Sequence, residues 1–173
     1  MACNSPKGKK TLGSKKSRRV LGIDPGLAST GWGILDEING SIHYIDHGTI
    51  TTKAGQQRAD RLFFIQQSIR AIIEKYNPTE AAIEILFFGK NVSSAIPVAE
   101  ARGVISAAIA EKNIFLNEFT PNTIKSGVVG SAKADKKQVQ EMVRIILGLD
   151  EAPKPDHAAD ALGAAICAIN RGS

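Results

Sequence analysis

The side chains best able to do chemistry in this sequence are acids that stand at the ends of apolar runs. Asp24 closes Val20-Leu21-Gly22-Ile23-Asp24, and Pro25-Gly26 then turns the chain sharply. Glu84 ends or nearly ends a second run, Ala81-Ala82-Ile83-Glu84-Ile85. Asp160 lies near the start of the last helical pattern, preceded by Asp156 and His157. Hard divalent cations prefer oxygen ligands, so carboxylates gathered from distant segments collect such ions. Two ions about 3.5–4 Å apart can activate a water and stabilise the leaving 3′ oxygen of a phosphodiester. Magnesium keeps several waters and needs only one or two carboxylates per ion, so a sparse acidic set is sufficient. These residues point to metal-dependent phosphodiester hydrolysis, in which a metal bridged by Asp24 would contact the scissile phosphate, with Glu84 and Asp160 completing the shells.

Each residue also has an ordinary reading. An Asp-Pro-Gly turn by itself is common punctuation. Glu84 is harder to set aside, because an unpaired carboxylate inside an apolar strand costs roughly several kcal/mol and a metal ion supplies the partner it needs. Imidazole suits manganese, zinc or general-base work more than magnesium. His157 is therefore a metal ligand, a base, or a first-turn residue facing solvent. Asp156 reads as the cap of the last helix.

Positioning these acids requires a particular order of elements. Strand patterns cover 20–24, 31–37 and 42–51, joined by short turns. A helix over about 56–76 puts Leu62, Ile65, Ile69, Ile72 or Ile73, and Tyr76 on one face, and Asn77-Pro78 stops it. A strand at 80–85, an alanine-rich helix at 94–112 and a strand at 114–119 follow. Thr120-Pro121 opens a short helix, Asp135 caps another that Gly148 ends, and the last helix runs over about 156–170. This is an α/β chain with a mixed five-stranded sheet flanked by helices. The first three strands are expected to be antiparallel, and the helix-separated strands parallel to the first through right-handed crossovers. Asp24 and Glu84 then end adjacent strands, and the last helix crosses that end with His157 and Asp160 on one face.

At 173 residues the chain suits one domain able to bury its own core. No stretch approaches the roughly 18 apolar residues of a membrane span, and no secretory h-region opens the sequence. Cys3 and Cys167 lack zinc spacing, and Cys167 sits in a helical apolar pattern as a small core residue. A reducing cytoplasm is the expected location. The net charge of +5 is local: residues 1–19 carry seven basic residues and no acid, which leaves 15 basic against 17 acidic residues, or −2, over 20–173. Residues 1–19 read as a basic, disordered extension, with 20–171 as the folded domain. The extension is a solvated leader, a transit segment, or a source of sequence-independent phosphate affinity.

Taken in order, the motifs resemble the RuvC family of Holliday-junction resolvases, over Val20 to about Asn170. The resemblance rests on Leu21-Gly22-Ile23-Asp24-Pro25-Gly26 with Thr30-Gly31-Trp32-Gly33, and on Ala82-Ile83-Glu84 with Phe87 and Lys90-Asn91. Ala101-Arg102-Gly103, Lys125 with Val128-Val129-Gly130, and Lys136-Lys137-Gln138-Val139-Gln140 with Met142-Val143 continue it. His157-Ala158-Ala159-Asp160-Ala161-Leu162 closes it. It implies an RNase H-like fold and a homodimer that resolves four-way DNA junctions by paired symmetric nicks, in company with a branch-migration motor. It implies two magnesium ions per subunit, replaceable by manganese, held by Asp24, Glu84, Asp160 and His157, the last at a position that is aspartate in many members. Phe87 matches an aromatic placed against a junction base. Lys125 and Lys136 match basic positions near the scissile phosphates, Lys137 shares that role, and Lys90 and Arg102 are further phosphate contacts.

Other functions fit less well. Actin-like and chaperone ATPases share the strand–Asp–x–Gly turn, but they need two such lobes around a nucleotide. An RNase H acting on RNA–DNA hybrids would share fold and acids, yet not the segments around Phe87 and Lys136. Shorter putative resolvases share the opening motif and match the Glu84 and His157 regions poorly. A module that binds junctions without cutting them is the non-enzymatic alternative.

Overall fold

The computed structural model describes residues 17–85 and 92–171. Five strands form one mixed sheet: β1 (Ser17–Asp24), β2 (Ser29–Ile38), β3 (Ser41–Thr51), β4 (Glu80–Glu84) and β5 (Phe115–Phe119). Their spatial order is β3-β2-β1-β4-β5. The β1–β2 and β2–β3 pairs are antiparallel, and β1–β4 and β4–β5 are parallel, as the lengths of the connections require.

Helices cover both faces, and the strands are patterned accordingly. Leu21, Ile23, Ile34, Ala81 and Ile83 point to one face. There they meet α1 (Arg58–Tyr76), through Ile65, Ile69 and Ile73, and α2 (Val92–Glu111), through Ala101, Ile105, Ala108 and Ile109. Each of these isoleucines contributes about 1.5–3 kcal/mol by leaving water. Val20, Leu35 and Ala82 alternate to the other face, which α3 (Pro121–Val129), α4 (Lys136–Leu147) and α5 (Asp156–Arg171) cover. The caps are those the sequence predicts. Thr120 accepts from the Thr123 amide, Asp135 and Gln138 form a reciprocal capping box, and Asn77 and Gly148 end their helices in the left-handed conformation.

Helix α5 is buried almost all round from Ala158 to Ile169, lying between the sheet and the α3–α4 pair. It lies unusually close to the sheet because three glycines face it. A Cβ built on Gly22 would collide with the Ala161 carbonyl, one on Gly31 with the His157 carbonyl, and one on Gly33 with the Leu162 side chain. Gly22 and Gly33 are cross-strand partners, and Gly31 is the partner of Asp24. The close approach therefore fixes α5 at the point where β1 ends.

Strand β1 starts at Ser17, inside the segment expected to belong to the disordered extension over 1–19. Arg18 and Arg19 are held there by acids. Arg18 pairs with Glu37 at 2.6 Å and Glu80 at 3.2 Å, and Arg19 pairs with Asp36 at 2.6 Å. Asp156, expected as a cap, opens α5 instead, and its carboxylate faces Lys136 on α4. Cys167 is buried, as expected for a core thiol. No helix among the described residues is long and apolar enough to cross a membrane.

Gly31→Ala should destabilise the protein by about 3 kcal/mol, the upper range for overpacking, lowering Tm by roughly 6–12 °C. A thermal melt indistinguishable from the parent protein would show that α5 does not depend on this contact.

Candidate active site

The sheet register brings the two strand-end acids together. Ile23 of β1 lies beside Ile83 of β4 in the parallel ladder, so the next residues, Asp24 and Glu84, end adjacent strands. By the period of two, both share the face of Gly22 and Ala82, under α5. Beyond Asp24 the chain is shaped by Thr30, which is fully buried. Its hydroxyl donates to the Gly26 carbonyl at 2.7 Å and accepts from the Gly26 amide at 3.3 Å. Thr52, also buried, donates to the Leu27 carbonyl at 2.5 Å and accepts from Arg61 Nε at 2.7 Å. These two threonines hold the 25–29 loop. Thr30 stands in a recognisable motif without showing what it does there, and nothing in the sequence marks Thr52.

From above, α5 delivers His157 and Asp160. His157 Nδ1 lies 2.6 Å from Asp24 Oδ2. Ligand atoms of Asp24, His157 and Asp160 all fall within 4.8 Å of one another, making this the compact donor trio among the described residues. Glu84 stands outside the trio and lines the two cavities that flank it. One of these is shared with Asp24, Val98 and Arg102, the other with Lys125, Lys136 and Asp160.

The electrostatics of the cluster are those of too many acids in too little water. Burial raises the Asp24 carboxyl above its ordinary range, against the pull of the His157 hydrogen bond and with a further push from Asp160. Burial, then the charges of Asp24 and Asp160, push Glu84 up to about 7, and Lys125 and Lys136 offset this only in part. A divalent cation would reverse both shifts; the carboxylates suit a hard cation, while the His157 imidazole leans toward manganese or zinc. The residues thus fit a metal centre.

Lys136 is the main resident counter-charge. Its ammonium reaches Asp160 at 3.2 Å and Asp156 at 3.3 Å, tying the start of α4 to the start of α5. Burial disfavours its charge, but these acids outweigh that and raise its pKa. Lys125 lies half-buried on α3 beside Glu84, and Lys137 is exposed next to Lys136. Arg102 lines the cavity at Asp24 and Glu84 and pairs with Glu118 on β5. Phe87 and Lys90 fall outside the described residues.

The profile of one family, described as crossover junction endodeoxyribonuclease RuvC, matches residues 20–168. A protein of that description from Treponema denticola is 50% identical over 165 residues, spanning 94% of this chain and 93% of its own. One from Chloroflexus aurantiacus is 51% identical over 149 residues, spanning 86% and 91%. Among solved structures, Thermus thermophilus RuvC in complex with Holliday junction substrate superposes with a TM-score of 0.84. That match has 29% identity and covers 90% of this chain and 94% of the other.

The titration of Glu84 gives a testable pH dependence. Its folded pKa of about 7 lies above the ordinary 4.5. Its contribution therefore favours the metal-free fold below about pH 4.5 and is lost as pH rises through 7. Thermal melts in chelator should show stability falling across that window, and Glu84→Gln should flatten the fall. Because metal requires the deprotonated carboxylate, magnesium affinity should rise about tenfold per pH unit up to 7. Calorimetric titrations giving one affinity throughout that range would remove Glu84 from the metal centre.

Proposed function

Because the chain belongs to the RuvC family of crossover junction endodeoxyribonucleases, we propose that Asp24, Glu84, His157 and Asp160 are the metal-dependent catalytic centre with which it cuts DNA. The protein is a phosphodiester hydrolase that resolves four-way junctions by paired symmetric nicks, in recombination and repair. The observation that carries the site assignment is the trio of Asp24, His157 and Asp160 within 4.8 Å, with Glu84 on the neighbouring strand end.

The ion is magnesium, two per subunit, with manganese able to substitute. When bound, such ions activate the attacking water and offset charge on the leaving 3′ oxygen. Asp24, His157 and Asp160 would hold the ions as a compact trio, with Glu84 at the neighbouring strand end completing the set. His157 orients Asp24 through their hydrogen bond and offers imidazole nitrogen to the metal. Lys136 holds Asp160 in place and, with Lys125, draws the scissile phosphate toward the carboxylates. Lys137 and Arg102 add phosphate contacts at the rim, and Lys90 adds one from the segment after β4. Phe87, in that same segment, stacks on a junction base, which is worth roughly 1–3 kcal/mol.

Paired nicks require two copies of the site related by a two-fold axis, so the working form is a homodimer. The outer surface of α1 and α2 supports this. Phe63 and Phe64 are 62% and 52% exposed there, and a side chain at Gly103 would meet nothing within 4 Å. A branch-migration motor delivers the junction, in the cytoplasm.

The deciding assay compares a synthetic four-way junction with a linear duplex of the same sequence, in magnesium, manganese and chelator. Symmetric nicks on the junction alone, requiring metal, are expected. Junction binding without nicks would reduce the protein to a binding module, and cutting of an RNA–DNA hybrid would replace the substrate. Asp24→Asn should lower the cleavage rate beyond the roughly 10–100-fold typical of outer-shell changes, with junction affinity kept. Lys136→Ala should weaken junction binding and reduce its salt slope by about one. A slope equal to the parent's would return Lys136 to a purely structural role.

A further inference from the structure

Beside the metal centre lies a third cavity, of about 450 Å³, which contains none of the residues assigned so far except His157. Its walls are the 25–29 loop, Arg58 and Arg61 at the start of α1, Val98 of α2, and His157. It shares Pro25 and Val98 with the cavity that holds Asp24 and Glu84, which in turn shares Glu84 and Pro121 with the cavity of Lys125 and Lys136. Neighbouring cavities share walls, so the three lie in a row. They set lysines at one end, carboxylates in the middle and arginines at the other.

Arg61 has an unusual setting. Every other described arginine except Arg171 has a carboxylate within 4.0 Å, as Arg58 does with Glu100 at 3.4 Å. Arg61 has none among the described residues, although it is half-buried. Its Nε is fixed by the buried Thr52 hydroxyl at 2.7 Å, which orients the guanidinium plane without neutralising it. A preoriented guanidinium with its charge unmatched is a fork for a phosphate, which it grips with paired N–H donors.

We propose that Arg61, with Arg58 beside it, seats a backbone phosphate next to the scissile one, on the side of the metal centre away from Lys125 and Lys136. The strand then crosses the carboxylates held at both flanks, which fixes which phosphodiester lies over the metal. This extends the nuclease reading above and rests on it. Arg61 is a positioning residue, since its guanidinium acts on a neighbouring phosphate and not on the reacting atoms. The alternative is that Arg61 serves only the loop, through Thr52 and the Leu27 carbonyl.

The test is a double-mutant cycle between protein and DNA. Junctions carrying a single uncharged methylphosphonate at each of the two phosphates on either side of the cleavage position are bound in chelator, with the parent protein, Arg61→Gln, Arg61→Lys and Thr52→Val. At one position on one side, the methylphosphonate should cost the parent protein about tenfold in affinity, the low end for a charged hydrogen-bonded pair. Arg61→Gln should lose a similar factor on the unmodified junction and nothing more on that modified one. Arg61→Lys should keep part of the affinity, and Thr52→Val should remain sensitive to the same phosphate. Losses that multiply at all four positions would overturn the proposal, as would a parent protein indifferent to all of them, even if Arg61→Gln proved unstable. Such multiplied losses, shared by Thr52→Val, would assign Arg61 to the loop. Nicking of the unmodified junction in magnesium by the parent protein is scored separately. Its absence alongside a positive cycle would reject the nuclease reading and leave the phosphate seat standing.

Discussion

The contact on which the rest of this molecule depends is the seat of α5 on the sheet, backbone against backbone at Gly22 and Gly31 and with the Leu162 side chain over Gly33. Helices normally stand off a sheet by the thickness of two layers of side chains, about 10 Å. Here Gly22 and Gly31 contribute no side chain at the crossing, and the helix meets them with the carbonyls of Ala161 and His157 and the short side chain of Ala165. Short side chains such as aspartate and histidine can then bridge from helix to strand, as the 2.6 Å contact of His157 with Asp24 shows. A thicker interface would leave these groups too far apart to share an ion.

That closeness has an electrostatic cost. Bringing Asp24, Glu84 and Asp160 together under a helix removes water from around them, and the raised pKa values of Asp24 and Glu84 register it. Lys136 offsets part of the cost, and its position is well defined. The Asp135–Gln138 capping box fixes the first turn of α4, so the lysine is delivered to Asp156 and Asp160 by a rigid element. The remaining imbalance is what makes the cleft receptive to a divalent cation.

Much of this was legible from residue patterns. The antiparallel opening of the sheet, the parallel pairing of β1 with β4 and the adjacency of Asp24 and Glu84 follow from element order and the lengths of the connections. The caps at Thr120 and Asp135 follow from local chemistry. What escaped were features made by long-range packing. Gly22, Gly31 and Gly33 stood in a recognisable motif, but a glycine in a strand does not announce which helix will lie on it. Thr52 and Arg61 meet only because the end of β3 passes the start of α1. Arg18 and Arg19 read as members of a charge run until their acids, 17 to 62 residues away, are brought alongside. Lys136 illustrates the same limit, since the family resemblance implies a DNA contact but not that it braces two helices.

The ion pairs at the start of β1 also fix the far end of the strand that carries Asp24. β1 runs toward the carboxylates, so Ser17 lies at its far end, seven steps or about 23 Å from Asp24. Arg18 and Arg19 spend their charge on Glu37, Glu80 and Asp36, at the opposite end of the strand from the acidic cluster. Two basic residues therefore clamp the root of the strand that ends in Asp24, so its tip keeps its register beside Glu84.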